Sequence, residues 1–213
     1  MALTTMVDMM NEVNIKPNDI DKIILVNGPG SFTGCRIGIT IAKTYAWSLN
    51  IPITTITSLE AMALTNNEYD YYVPLLDARR DYVFAGIYDK DNNQVLKNQY
   101  VKKSVLEAAI KNMSDNYVFI TNDDIEVNGE KISYNPDILA IVLKYKDKDS
   151  VNPHRIDAEY LKLTEAEEKL NDKNFIGKRK EAERCANINL KKDVNLDDIY
   201  NEYQKINKIS KNE

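Results

Sequence analysis

The chain has 213 residues, 43% hydrophobic and 29% charged, with 28 Lys and Arg set against 33 Asp and Glu for a net charge of −5. That is enough apolar material for one or two core-forming lobes, and the acidic balance argues against a chain that grips nucleic acid by itself, because phosphate contacts need clustered Lys and Arg. No apolar run is long enough to span a bilayer and the first residues lack the basic-then-apolar order of a signal peptide, so a soluble, cytoplasmic protein is expected.

Apolar spacing predicts a helix over 2–14 whose Leu3, Met6, Val7 and Met10 form a stripe for a sheet. Ala2, Met9 and Val13 widen that stripe to an arc of about 160°, more than the roughly 100° one packing face needs. A strand over 22–27 follows, then a helix over 34–49 that turns Ile39, Ala42, Ala46 and Leu49 to one side, a strand over 52–56 and a helix over 58–64. After Asn66-Asn67 the pattern changes to strands over 71–77, 82–88 and 94–101, a helix over 103–112, a strand over 117–120 and a helix over 136–145.

The second set, βββ-α-β-α, is the element order of a ribonuclease-H-like lobe, and the first, α-β-α-β-α, is the same unit without its three opening strands. The expected fold is therefore α/β, with two ribonuclease-H-like lobes in tandem, the first lacking its N-terminal β-meander. The domains are then 1–67, 68–170 and a charged C-terminal tail, 171–213. In the tail, Leu196, Ile199, Tyr203 and Ile206 are spaced as a short amphipathic helix, which reads either as a packed terminal helix or as an unstructured tail.

Between the first strand and the second helix runs Val26-Asn27-Gly28-Pro29-Gly30-Ser31-Phe32-Thr33-Gly34-Cys35-Arg36-Ile37-Gly38. Gly28 and Gly30 permit positive φ around Pro29, Ser31 or Thr33 can cap the helix, and free N–H groups at its start can hold an anion, with Arg36 completing the candidate set. A turn and cap with no ligand explains the same residues, and spacing leaves both readings open. Other chemistries lack their parts. A metallopeptidase needs paired histidines, and His154 is the only one; Ser31 lacks the nucleophile-elbow spacing; Cys35 and Cys185 read as free thiols. No catalytic residue, metal or cofactor is expected.

The glycine loop, its continuation through Ala42-Lys43-Thr44-Tyr45-Ala46-Trp47 and Thr57-Ser58-Leu59-Glu60-Ala61-Met62-Ala63, the segment Leu76-Asp77-Ala78-Arg79-Arg80-Asp81-Tyr82-Val83-Phe84-Ala85, and Tyr160 to Glu167 together resemble the bacterial TsaB (YeaZ) family, of the actin, sugar-kinase and Hsp70 fold class. The resemblance implies a non-catalytic scaffold or activating subunit for threonylcarbamoyladenosine synthesis in tRNA. It implies as partners a TsaD-like catalytic subunit and a TsaE-like ATPase, with tRNA reached only through the complex. The first two helices would meet the catalytic subunit, which singles out Met6, Met9, Val13, Ile37, Ile41, Thr44 and Ser48 as interface residues.

In the family a β-meander with an Asp-Thr-Ser motif precedes the first helix, whereas here Met1 falls just inside that helix; a gene start placed too late is favoured over a true shortening, and the isolated chain is expected to be aggregation-prone. Nucleotide hydrolysis in this fold class needs two glycine-rich phosphate hairpins. The second position holds Asp77-Ala78-Arg79-Arg80-Asp81, which reads instead as a β-turn with salt-bridging charges. Cys35 stands where the family usually has Leu, which points to packing. The alternatives are a weak nucleotide-binding hydrolase using the glycine loop and Asp77, and a regulatory homodimer through the same helices.

Overall fold

Two short β-branched-rich strands, β1 (Ile23–Val26) and β2 (Ile53–Ile56), pair in parallel, with Ile23 opposite Ile53 and Val26 opposite Ile56. The computed structural model describes residues 2–65 and 68–162. Parallel strands need a crossover, and α2 (Phe32–Ser48) supplies it. Both faces of this small sheet are covered, which is why β1 is apolar throughout and β2 places Ile53 and Ile56 on opposite faces, with Thr54 and Thr55 between them. Leu25 and Ile53 pack with Ile39, Ala42 and Ala46 of α2. On the other face Ile56 packs with Ala61 of α3 (Ser58–Ala63) and with Ile141 and Tyr145 of α5 (Ile138–Tyr145).

The second sheet has five strands in the order β5-β4-β3-β6-β7, built from β3 (Tyr71–Asp77), β4 (Tyr82–Asp89), β5 (Gln94–Lys102), β6 (Tyr117–Ile120) and β7 (Lys131–Ile132). The β3–β4 and β4–β5 pairs are antiparallel, while β3–β6 and β6–β7 are parallel. Side chains alternate as the pleat requires. Val73, Leu75, Val83, Ala85 and Ile87 face α4 (Lys103–Met113) and its Leu106 and Ile110. Tyr72, Tyr88, Val118 and Ile120 face Leu59, Met62 and Ala63. Helix α3 thus serves both sheets, one side to each.

A half-buried polar relay joins the same elements. Gln94 Nε2 donates to the Tyr88 hydroxyl at 3.2 Å, that hydroxyl donates to Asn98 Oδ1 at 2.8 Å, and Asn98 Nδ2 donates to Thr57 Oγ1 at 2.9 Å. Thr57 in turn caps α3, accepting from the Glu60 N–H at 3.1 Å.

Helix α1 (Ala2–Glu12) stops short of the expected residue 14 because Asn14 adopts a left-handed φ of 55° while the Val13 and Ile15 N–H groups close onto the carbonyls of Met9 and Met10. None of its residues is buried. Strand β7 lies outside the expected elements, since two residues carry no period. Also unexpected is the segment 151–161, which holds only a 3-10 turn, Pro153–Arg155. It runs from the edge of β2, where the Val151 N–H donates to the Ile53 carbonyl, to bury Ile156 against α2, and then places Leu161 against the second core. Among the described residues no helix is long and apolar enough to cross a membrane. The tail, with Cys185 and the spacing over 196–209, lies outside the described residues.

Candidate functional site

Several polar groups of the glycine loop are spent on the protein itself. Gly28 sits at φ 115°, where a side chain is strained, and its carbonyl accepts from the Ser58 N–H at 2.7 Å. A Cβ there would also stand 3.3 Å from the Glu159 carbonyl oxygen. The Gly28-Pro29 peptide is cis. Asn27 ties the loop to the 151–161 segment, its carbonyl accepting from the Glu159 N–H at 2.9 Å and its side-chain amide donating to the Asp157 carbonyl at 3.2 Å. Ser31, rather than Thr33, caps α2, accepting at 3.3 Å from the Gly34 N–H.

Gly28, Gly30, Ser31 and Thr33 therefore gather at the start of α2, whereas Arg36 turns away from the loop. Its guanidinium stacks 3.8 Å over the Phe32 ring and its Nε donates to the Tyr160 hydroxyl at 3.0 Å. Cys35 is half-buried under the loop, within 3.6 Å of where Cβ atoms on Gly28 and Gly30 would lie, and burial pushes its thiol up. A cavity of about 400 Å³ opens beside Pro29 and Gly30, lined also by Met62, Leu76, Asn122 and Tyr134.

At the hairpin over 77–81, Arg79, Arg80 and Asp81 adopt left-handed φ values of 66°, 55° and 62° in succession. The Arg79 N–H bonds to Asp77 Oδ1 at 2.9 Å and the Asp77 N–H to Asp123 Oδ2 at 2.7 Å. The turn is as expected, but the salt bridges are not. Among the described residues neither arginine lies within 4.0 Å of a carboxylate, because the left-handed run points both side chains into solvent.

The interface residues divide by exposure. Met9 and Val13 are each 59% exposed and Ile37 48%, Thr44 and Ser48 are exposed, and Met6 and Ile41 are half-buried. Trp47 adds another 67% exposed side chain, met edge-on by the His154 ring at 6.0 Å. Helix α2 buries only Ile39, Ala42 and Ala46, so most of its circumference faces outward. Leu49, expected inside, caps the helix instead and is exposed. A second apolar face, Ile138, Leu139, Val142 and Leu143 of α5, is also exposed. Its signal in the sequence is the unbroken run Ile138-Leu139-Ala140-Ile141-Val142-Leu143, hydrophobic all round in a helix of which one side is buried.

Against known proteins, residues 2–147 match the family described as TsaD: tRNA N6-adenosine threonylcarbamoyltransferase. A Bacillus subtilis (strain 168) protein, tRNA threonylcarbamoyladenosine biosynthesis protein TsaB, is 34% identical over 185 residues, which cover 79% of this chain and 81% of that protein. The Escherichia coli (strain K12) protein of the same name is 27% identical over 120 residues, 53% of this chain and 52% of its own length. YeaZ from Pseudomonas aeruginosa superposes with a TM-score of 0.57 at 17% identity, covering 75% of this chain and 82% of that one, a likeness of fold alone. The match across residues 2–147 and the breadth of the Bacillus subtilis similarity agree, and the chain belongs to the TsaB (YeaZ) family, with a TsaD-type domain.

Proposed function

We propose that the chain is a scaffold or activating subunit in the synthesis of threonylcarbamoyladenosine in tRNA, without turnover of its own. It is clasped by a TsaD-like catalytic subunit through α1 and α2, a TsaE-like ATPase joins the assembly, and tRNA is reached only through the complex. The pathway comes from the names its relatives carry. The observation that carries the mode of action is α1: an 11-residue helix with no buried residue, which presents Leu3, Val7 and Met9 at its surface. Covering such side chains is worth about 1.5–3 kcal/mol each before the cost of association is met.

We also read the fold as two ribonuclease-H-like lobes, 1–67 and 68–170, followed by the tail 171–213. The strand order β5-β4-β3-β6-β7, with its antiparallel and parallel halves, supports that reading for the second lobe, and α1, β1, α2, β2 and α3 make up the first.

The test is a charge on the exposed stripe. Met9→Glu changes a surface position and is expected to leave the circular dichroism spectrum and melting temperature unaltered while abolishing co-purification with the TsaD-like subunit of the same organism. Retained binding overturns the assignment.

A further inference from the structure

We propose that Arg36 is the charged anchor of this docking surface and that it takes a carboxylate presented by the catalytic partner, an inference that rests on the interface reading above. Helix α2 carries two cations, Arg36 and Lys43, and no acid. Lys43 is spent internally, its Nζ donating to the carbonyls of Ile156 at 2.9 Å and His154 at 3.4 Å. Arg36 is not. Among the described residues its only hydrogen bond is from Nε to Tyr160, and no carboxylate oxygen lies within 4.0 Å of it.

The guanidinium is held in place in advance. Phe32 lies under its plane and touches Tyr160 at 5.7 Å between ring centroids, and both rings are half in solvent, 51% and 52% exposed. Arg36 and Tyr160 line an open groove of about 720 Å³ between α2 and residues 156–160, to which Lys43 and Asp157 also contribute. A planar fork fixed by stacking, with its terminal nitrogens free, matches a carboxylate in bidentate geometry and loses little side-chain entropy in binding it. An arginine framed by aromatic rings is also the composition of an energetic centre in a protein interface. A tRNA phosphate is the poorer fit, because an acidic chain with one unspent cation on this helix gains little from counterion release. The apolar Ile37 and Trp47 on the same helix suit a protein partner.

The experiment is calorimetry of the full chain with the TsaD-like subunit, without and with tRNA, using Arg36→Glu, Arg36→Lys and Met9→Glu, each checked for an unchanged melt. Arg36→Glu is expected to weaken binding about thirtyfold or more, and Arg36→Lys, which keeps the charge but not the fork, about fivefold. Wild-type affinity should fall more steeply with salt than that of Arg36→Glu, while Arg36→Lys should keep the wild-type salt slope. If Arg36→Glu binds as wild type while Met9→Glu does not bind, the anchor is refuted and the docking surface stands. If Arg36→Glu keeps the partner but loses tRNA from the complex, the ligand is a phosphate and the carboxylate assignment falls. If wild type itself shows no binding, both readings fall together.

Discussion

Gly86 has no side chain because the relay from Tyr88 to Thr57 passes through the space a side chain would fill. A Cβ built there lies 2.3 Å from Asn98 Oδ1, 3.1 Å from Tyr88 Cε2 and 3.3 Å from the Leu96 carbonyl oxygen. Gly86→Ala must therefore expel the Asn98 amide, breaking its bonds to the Tyr88 hydroxyl and to Thr57 Oγ1. Two such bonds are worth about 0.5–1.5 kcal/mol each, and leaving the hydroxyl of Tyr88, which is only 1% exposed, without an acceptor adds about 1–3 kcal/mol. Alanine returns about 0.5–1 kcal/mol of backbone entropy in a strand, so the net loss is about 1–5 kcal/mol. For a chain of this size that lowers the melting temperature by roughly 2–20 °C. The assay is a double-mutant cycle by urea denaturation. In an Asn98→Ala background, where the obstructing amide is already gone, Gly86→Ala should be about neutral, giving a coupling of at least about 1 kcal/mol. Additivity within about 0.5 kcal/mol would show that Asn98 is not what Gly86 accommodates.

Two further outcomes follow from buried side chains elsewhere. Ile156, 4% exposed among Leu25, Ile39, Ala42, Ala46 and Ile53, should cost about 2–5 kcal/mol when cut to alanine, measured by denaturant titration; a loss below about 0.5 kcal/mol would mean that 151–161 is not part of the first core. Burial, with the Glu60 carboxylate nearby, holds the Tyr145 phenol well above its ordinary value of 10.0, and burial likewise raises Tyr88 and Tyr134. Their contribution is intact below pH 10 and is lost as the pH rises beyond it, because the unfolded phenols ionise there while the folded ones stay protonated. Between about pH 10 and 11.5, Tyr145→Phe should flatten the stability-against-pH slope by up to about 1.4 kcal/mol per pH unit; an unchanged slope would refute the assignment.

Most elements were legible because each carries its own period and its own punctuation. The helix over 103–112 appears as Lys103–Met113, and the strands over 71–77 and 117–120 appear with the expected bounds. The second helix begins at Phe32 rather than 34 because the cap is Ser31, and the sequence offered two hydroxyls for one role. Strand β7 was not legible: it is two residues held only by a neighbour, its position set by the Thr121 N–H reaching the Ile132 carbonyl. The salt bridges expected at Arg79 and Arg80 failed for a related reason, since charge alternation in a turn says nothing about three successive left-handed residues.

The candidate surface was half legible, and the missing half is informative. Helical spacing located the apolar positions of α1 and α2, because exposure of a periodic residue follows once the buried stripe is known. It could not show that α2 is gripped from outside by a segment more than 100 residues away in sequence. That segment, Val151 to Leu161, has no period; its signals are a proline, one histidine and scattered apolar residues, each meaningful only against the helix it meets. Its effect on α2 is to divide the charges. Lys43 is consumed by two of the segment's carbonyls, whereas Arg36 is stacked and held by Tyr160 with no carboxylate among the described residues within 4.0 Å. An arginine assigned by spacing to a phosphate loop is thereby turned toward the groove beside α2, where the unmet demand is for a single carboxylate.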